Sequence, residues 1–330
     1  MAMGEFDLIA RYFRRPARRA VLGVGDDCAL LAPTPGMQLA VSSDMLVAGR
    51  HFFADVDPRT LGHKALAVNL SDLAASGATP VAFMLALALP QVDEAWLQAF
   101  SEGLFALADA HGCELVGGDT TQGPLNICIT VFGEVPAGQA LLRSGAQVGD
   151  DIYVSGTLGD ARLALEALLG HITLPADVLQ AARQRLECPT PRVALGTALR
   201  GIATSALDVS DGLLGDLSHI LQASHVGATI DGDDAIGLIA SSALWTGARG
   251  QFDQKFLQQC TWAGGDDYEL CFTAPAAQRT AVQAASRAAR TPVTRIGRIT
   301  AGQGLRVLDT QGQEIALTHL RSFDHFAAKG

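Results

Sequence analysis

Six short acidic clusters, each with glycine or serine beside aspartate, most constrain how this chain can fold. Most of them directly follow or precede an apolar run, which predicts a carboxylate on a tight turn at the end of a strand or helix. Several such turns meeting in one cleft would offer oxygen ligands to hard cations. The clusters are Gly25-Asp26-Asp27, Ser42-Ser43-Asp44, Asn69-Leu70-Ser71-Asp72, Gly117-Gly118-Asp119, Asp208-Val209-Ser210-Asp211 and Gly264-Gly265-Asp266-Asp267.

The runs between the clusters predict helices and strands in both halves of the chain. Asp57-Pro58 is a good helix start, and the pattern predicts a helix to about Ser76. Ala82–Leu89 predicts a buried strand, and a second helix is expected from Asp93 to Gly112. Short strands are expected at 21–24 and 39–41, each running straight into an acidic cluster, and an amphipathic helix at 5–15.

A turn-rich stretch at 136–151 predicts the domain boundary, with one domain at 1–137 and the other at 138–330. Each half has a Ser-Asp element and, about fifty residues later, a Gly-Gly-Asp element. The two matches are short and do not prove duplication. They favour two α+β halves that both send acids to one cleft.

Composition excludes several classes of function. The chain has 330 residues and a net charge of −10, which argues against nucleic acid and anionic membranes as partners. Its most apolar run, 81–89, ends at Pro90 and is too short to span a membrane. The N-terminus lacks the features of a signal peptide, and the six cysteines are scattered. We therefore expect a cytoplasmic protein with reduced, mostly buried cysteines.

Missing motifs narrow the chemistry further. The sequence has no P-loop motif and only three lysines, and it shows neither zinc-type histidine spacing nor a Gly-x-Ser-x-Gly elbow. If the protein handles phosphate, metal ions must therefore neutralise most of its charge. A single Gly-Asp or Ser-Asp pair is usually ordinary turn or capping chemistry. Six clusters, two of them with doubled acids, favour several Mg²⁺ ions around a polyphosphate.

The chain resembles the bacterial thiamine-monophosphate kinases over nearly its whole length. The resemblance rests on Gly23-Val24-Gly25-Asp26-Asp27-Cys28-Ala29-Leu30, on 64–74 (KALAVNLSDLA), on Gly117-Gly118-Asp119-Thr120-Thr121 and on Asp267-Tyr268-Glu269-Leu270-Cys271-Phe272. It implies the two-domain, α+β fold of aminoimidazole-ribonucleotide synthetase, in which mixed sheets carry packed helices. It also implies ATP-dependent phosphorylation of thiamine monophosphate to thiamine diphosphate.

The resemblance assigns three groups of site residues. Magnesium-binding positions are matched by Asp27, Ser42, Ser43, Asp44, Asp72, Asp119, Asp208 and Asp211. Positions that contact ATP are matched by Gly118, Asp119, Arg143 and Ser210. Positions around the thiamine phosphate are matched by His51, Asp266 and Phe323. The family usually has Glu where Asp266 stands and often Trp or Tyr where Phe323 stands. Both changes keep the charge or the aromatic character, so they affect the detail of the substrate contacts and not the expected activity.

This assignment agrees with the residue types. A phosphate acceptor is already ionised at neutral pH, so no protein base is needed and no acid–base residue is assigned. Magnesium bridging the two phosphates would permit direct in-line transfer without a phospho-enzyme. Two alternatives stay open: another ATP-dependent enzyme of the superfamily, chiefly aminoimidazole-ribonucleotide synthetase, and a non-catalytic Mg-nucleotide-binding regulator. The resemblance further implies a homodimer through the N-terminal halves, with strand 81–89 as an interface element.

Overall fold

The computed structural model describes residues 4–232, 235, 238, 239 and 252–320. The chain divides into two compact units. The first comprises Met1–Leu73 and Ala78–Ala140, and the second comprises Ala74–Gly77 and Leu141–Gly330. Among the described residues, no helix combines the length and the hydropathy that crossing a membrane requires.

The first unit contains a four-stranded sheet with the order β1-β4-β2-β3. All pairs are antiparallel except β2 with β3, which are parallel. Its strands are β1 (Met37–Val47), β2 (Thr79–Leu89), β3 (Glu114–Gln122) and β4 (Asn126–Pro136). Its helices are α1 (Glu5–Leu8), which continues as a π-helical turn (Ile9–Phe13), α2 (Pro58–Ala75) and α3 (Glu94–His111).

Pairing in this sheet gives it two different faces. Side chains in the row of Leu85 and Ile129 are buried, at 5% and 0% exposure, and we call this the covered face. The alternate row contains Met45 and Met84, which are 52% and 40% exposed, and we call this the open face. The segment 20–31 packs its apolar side chains against Ala82 at one end of the open face.

The second unit contains a six-stranded sheet with the order β10-β7-β9-β5-β8-β6, antiparallel except for β7 with β10. Its strands are β5 (Asp151–Ser155), β6 (Ser205–Val209), β7 (Gly227–Asp231), β8 (Glu269–Ala274), β9 (Val293–Thr300) and β10 (Gly304–Leu308). Its helices are α4 (Asp160–Leu168), α5 (Ala176–Glu187), α6 (Val193–Ala198), α7 (Leu213–Ser224), α8 (Gln254–Ala263) and α9 (Arg279–Ala289), with a 3₁₀ turn at Ala276–Gln278.

The α+β class and the two long N-terminal helices are confirmed. The side chain of Asp93 caps α3 by accepting a 3.0 Å hydrogen bond from the backbone of Trp96, and Gly112 ends the helix in the left-handed conformation. The helix expected at 5–15 is shorter and ends in the π-helical turn at Phe13. Strand β7 and helix α8 have no counterpart among the elements predicted from the sequence.

Three predictions about the acidic clusters were wrong in detail. Residues 21–24 form only isolated bridges, because their backbone partners are single residues of the same segment: Leu22 bridges Leu30, and Val24 bridges Asp26. The strand at 39–41 extends to Val47, since its ladder with β4 continues to Asn126. The second and fourth clusters, at 42–44 and 117–119, therefore lie within strands β1 and β3 and not on turns after them.

Candidate functional site

Helix α2 fixes the acids on the covered face of β1. The hydroxyl of Ser42 donates a 2.5 Å hydrogen bond to the carboxylate of Asp72. The backbone N–H of Asp44 donates to the side-chain oxygen of Asn69, which is buried and anchored in turn to the carbonyl of Ala65. Strand and helix thus bring Ser42, Asp44 and Asp72 together, and Asn69 holds the backbone of Asp44.

The other predicted ligands of the first unit lie elsewhere on the sheet. Asp119 shares a register row with Met45, Cys128 and Ala86, so it lies on the open face. Ser43 also lies on the open face, where its hydroxyl lies 3.0 Å from the hydroxyl of Thr130. Because β1 and β3 are opposite edges of a four-stranded sheet, their backbones are separated by about 14 Å. The sheet of one chain therefore does not place Asp44 and Asp119 side by side.

Gly118 is required by its backbone geometry. Its φ is +151°, and a Cβ at this position would lie only 1.8 Å from the carbonyl oxygen of Leu85. Only glycine can occupy this position without moving β2. The neighbouring Asp119 therefore follows a position in β3 at which only glycine fits.

Two glutamates anchor the N-terminal segment that carries Asp27. The Glu114 carboxylate accepts backbone N–H bonds from Arg18, Arg19 and Ala20 at 2.9–3.2 Å. Glu134 is 4% exposed and accepts bonds from Thr34 and from the Arg19 guanidinium. Burial opposes ionisation of Glu134, but these partners outweigh it and lower its pKa.

Asp27 itself is exposed, and so is Cys28 beside it. The backbone N–H of Asp27 is bonded to the side chain of Asp26 at 2.8 Å. Cys113, Cys260 and Cys271 are buried, whereas Cys128 and Cys188 are intermediate, and no disulfide bond joins any cysteines within the described residues. Three of the six cysteines are thus buried, and Cys28 is the exposed one.

His51 belongs to the turn that follows β1. The Nδ1 atom of its ring accepts a hydrogen bond from the backbone N–H of Val47 at 2.9 Å. The backbone N–H of His51 in turn donates to the carbonyl of Val47. The imidazole is therefore fixed by the turn that carries it. This arrangement leaves Nε2 as the nitrogen that can donate from the neutral ring.

The Ser210-Asp211 turn follows β6 and precedes α7. Asp208 is half-buried within β6 and pairs with Leu270 of β8. The carboxylate of Asp216, one turn into α7, accepts the backbone N–H groups of Ser210, Asp211 and Gly212 at 3.0, 3.0 and 3.1 Å. Burial raises the pKa of Asp216 to about 6, with the Asp211 charge adding to the effect.

A second acidic turn lies directly against the first. The backbone N–H of Asp266 donates to the carbonyl of Ser210 at 2.9 Å. Gly265 permits this approach, because a Cβ there would lie 2.3 Å from the same carbonyl oxygen. Asp266 and Tyr268 both adopt positive φ, at 67° and 51°, and the Tyr268 hydroxyl bonds the Asp266 carboxylate at 3.1 Å. A bulky residue in this conformation is strained, which is a frequent property of functional loops.

The doubled acid of this turn serves two different purposes. Asp266 is half-buried, whereas Asp267 is 1% exposed. Both oxygens of Asp267 lie 3.0 Å from the backbone N–H of Gly159, and burial raises its pKa well above its usual range. Asp267 therefore holds the turn from inside, and Asp266 is the member of the pair that can reach a ligand.

A buried ion cluster supports the same turn. Glu269 is fully buried and is bonded by the guanidinium groups of Arg185 and Arg192 at 2.5–2.6 Å. The hydroxyl of Ser155 donates to it at 2.6 Å. Sequence reasoning quoted Glu269 only as part of the family motif and missed both arginines, which precede it by 84 and 77 residues.

Arg143 lies away from the acidic turns of its own unit. Ser224, at the end of α7, accepts N–H bonds from Gly145 and Ala146 and donates to the carbonyl of Arg143. The neighbouring Leu142 bonds Ala206 near the start of β6, whereas Ser210 follows its end. The backbone beside Arg143 and the backbone of Ser210 are thus about 13 Å apart, four residues along the strand. Phe323 lies outside the described residues.

The oxygen donors fit a hard cation, but they do not form a complete cage. Among the described residues, no three His, Cys, Asp or Glu side chains form a group that could hold a metal ion. Mg²⁺ needs only one or two carboxylates when water and phosphate supply the remaining ligands. Asp44 and Asp72, with the Ser42 hydroxyl bonded to Asp72, have the chemistry of such a partial site.

Comparison with known proteins defines the class to which the fold and these acids belong. The two domains of the AIR synthase related proteins match the chain at residues 25–135 and 147–310. A thiamine-monophosphate kinase of Salmonella typhimurium is 47% identical over 334 residues, which cover 99% of each chain. The chain therefore belongs to the thiamine-monophosphate kinase family of AIR synthase related proteins.

Solved structures agree with this membership. A crystal structure of thiamine-monophosphate kinase from Stenotrophomonas maltophilia has a TM-score of 0.82 and 46% identity, covering 96% of this chain and 99% of that one. A second structure, AaThiL complexed with AMPPCP and TMP, has a TM-score of 0.74 and 28% identity, with 89% of each chain covered. The resemblance inferred from the sequence motifs is confirmed.

Proposed function

We propose that this protein transfers a phosphoryl group from ATP to thiamine monophosphate and so forms thiamine diphosphate. The observation that carries the proposal is 47% identity to a thiamine-monophosphate kinase over 99% of both chains. A structural relative binds AMPPCP and TMP, which supports a nucleotide and an acceptor phosphate as the two substrates.

We assign the site residues as follows. Mg²⁺ is held by Asp27, Ser42, Ser43, Asp44, Asp72, Asp119, Asp208 and Asp211, and ATP is contacted by Gly118, Asp119, Arg143 and Ser210. The acceptor is contacted by His51, Asp266 and Phe323. We propose domain bounds at 1–137 and 138–330.

The residues of the candidate site suit a transfer without protein acid–base chemistry. The acceptor phosphate is already an anionic nucleophile, so the protein must position two polyanions and offset their repulsion. Bound Mg²⁺ would supply the charge neutralisation for a direct in-line transfer. The buried Asn69 holds the backbone of Asp44, and the Ser42 hydroxyl holds the carboxylate of Asp72, so these ligands are oriented before substrate arrives.

We also propose that the active protein is a cytoplasmic homodimer paired through its N-terminal units. The open face of the sheet exposes Leu39, Val41, Met45 and Met84, which would be an unfavourable surface in water. Asp44 and Asp119 lie on opposite edges and opposite faces of one sheet. Pairing with a second copy would supply acidic residues that the sheet of one chain does not place beside each other. In strand 81–89, the alternation leaves Met84 and Ala86 for this contact.

The decisive experiment is to incubate the protein with Mg-ATP and thiamine monophosphate and to measure thiamine diphosphate by mass. Formation of thiamine diphosphate with release of ADP is expected. ADP release that does not depend on thiamine monophosphate, but requires an amide substrate, would instead favour an aminoimidazole-ribonucleotide synthetase. Binding of Mg-ATP without turnover would favour a regulator. Sedimentation of the purified protein tests the dimer.

A further inference from the structure

Asp216 occupies the position at which many nucleotide-binding loops hold a phosphate. Three successive backbone N–H groups, from Ser210 to Gly212, converge on one oxygen of its carboxylate at 3.0–3.1 Å. Such a concave run of N–H groups ahead of a helix is a common anion site. Here the anion is a side chain of the protein itself, and it is 5% exposed.

This arrangement exceeds ordinary helix capping. An N-cap side chain accepts from N–H groups inside the first turn of its helix. Asp216 lies inside α7 and reaches back to residues that precede the helix, whose first residue is Leu213. Its bond to Gly212, the N-cap of α7, resembles that of a capping box. Its bonds to Ser210 and Asp211 go further and fix the shape of the turn ahead of the helix.

The same turn is also tied on its other side. The carbonyl of Ser210 accepts from the N–H of Asp266, and the carbonyl of Val209 accepts from the N–H of Tyr268. The N–H groups of the turn and these carbonyls are thus used inside the protein. The half-buried side chains of Ser210 and Asp211 are the groups that the turn presents outward.

We propose that Asp216 is a positioning residue for nucleotide binding: it fills the backbone anion site, so that the Ser210-Asp211 turn engages Mg-nucleotide through side chains alone. The inference rests on the proposed function for the identity of the ligand. It differs from phosphate-binding loops, in which the N–H groups contact the phosphate directly. The turn therefore offers the nucleotide the fixed hydroxyl of Ser210 and the fixed carboxylate of Asp211 in place of backbone N–H groups.

Two variants of Asp216 and one control test this inference. Asp216→Ala removes the acceptor of three N–H groups, and Asp216→Glu keeps the charge but displaces it by one methylene. The control is Asp150→Ala: Asp150 is also buried and accepts bonds from Gln147 and Thr204, but it precedes β5 at the opposite end of the sheet. Circular dichroism and thermal unfolding establish that each variant is folded.

The measurement is the affinity for Mg-AMPPCP, together with KM for ATP and for thiamine monophosphate. Leaving buried donors unpaired predicts about tenfold or greater weakening of Mg-AMPPCP binding in Asp216→Ala. Asp216→Glu is expected to weaken it as well, and Asp150→Ala to leave it within about twofold of wild type, since distant sites are usually independent. KM for ATP should rise more than KM for thiamine monophosphate.

Several results would overturn the inference. One is a folded Asp216→Ala variant, or a folded Asp216→Glu variant if the alanine variant does not fold, that binds Mg-AMPPCP at least as tightly as wild type. Equal rises in both KM values would show that Asp216 has only a general structural role. Absence of Mg-AMPPCP binding by wild type would show that the turn does not serve a nucleotide. The proposed function fails separately, when wild type binds Mg-AMPPCP but forms no thiamine diphosphate.

Discussion

The two units present their acids in different ways. In the first unit, Asp44 and Asp119 lie within strands and Asp72 lies within a helix, so regular backbone carries these three proposed ligands. In the second unit, Asp211 and Asp266 lie on turns, and buried carboxylates hold those turns from inside. The difference shows that an aspartate beside glycine or serine can either remain accessible or be buried as part of the support of a turn.

Ligand substitution should have the largest effect. Asp72→Asn, Asp44→Asn and Asp119→Asn are each expected to lower turnover by about 10²–10³-fold, the scale of removing one preorganised electrostatic group. The fold should be retained, and Asp109→Asn, which removes an exposed carboxylate paired with Arg15, serves as the control. Steady-state rates at limiting Mg²⁺ measure the effect. Near-normal rates in all three variants would exclude this site.

Removing a supporting acid in the second unit should instead cost stability. Glu269→Ala leaves Arg185 and Arg192 without their shared buried partner, and a loss of about 3 kcal/mol in the free energy of unfolding is expected. Urea unfolding gives the value. Glu187→Ala breaks the surface pair with Arg183 and should cost under about 0.5 kcal/mol. Equal losses in the two variants would contradict the supporting role of Glu269.

Asn69 is the corresponding supporting residue of the first unit. Asn69→Ala removes the acceptor of the Asp44 N–H, and about 1–3 kcal/mol is the usual cost of removing one partner of a hydrogen bond inside a protein. We expect about a tenfold rise in the Mg²⁺ concentration for half-maximal activity, with Asn126→Ala as the control. If stability falls while the Mg²⁺ requirement is unchanged, Asn69 supports the fold without orienting Asp44.

The smallest effect concerns a buried carboxylate away from both acidic turns. The Arg279 hydrogen bond lowers the pKa of Asp151, so its stabilising contribution is present above about pH 4, the unfolded value, and is lost as the pH falls through the lower folded pKa. Asp151→Asn should lower Tm by about 2–4 °C at pH 7. The difference should shrink steadily in acid, and a pH-independent difference would refute the ionic origin.

The acidic residues of the candidate site could be predicted from the sequence, but the secondary structure around some of them could not. Sequence reasoning identified helix α2 from Asp57-Pro58, and the motifs around Asp72 and Asp119 gave the family. It placed Ser42-Ser43-Asp44 on a turn because the apolar run before it is short, whereas ladder pairing with β4 extends the strand beyond it. It gave no role to Asn69 or Asp216, since a single polar residue in a helical pattern has no distinctive signal.

By itself, the sequence determined the α+β halves, the family and the supply of carboxylates, because these depend on local pattern and on motif. Only the tertiary structure decided which carboxylates face outward. Asp266 and Asp267 are adjacent, yet one is half-buried and the other bonds the backbone of Gly159, 108 residues away. Burial and hydrogen bonding of this kind depend on partners distant in the chain. Those partners distinguish an accessible carboxylate such as Asp266 from a buried supporting one such as Asp267.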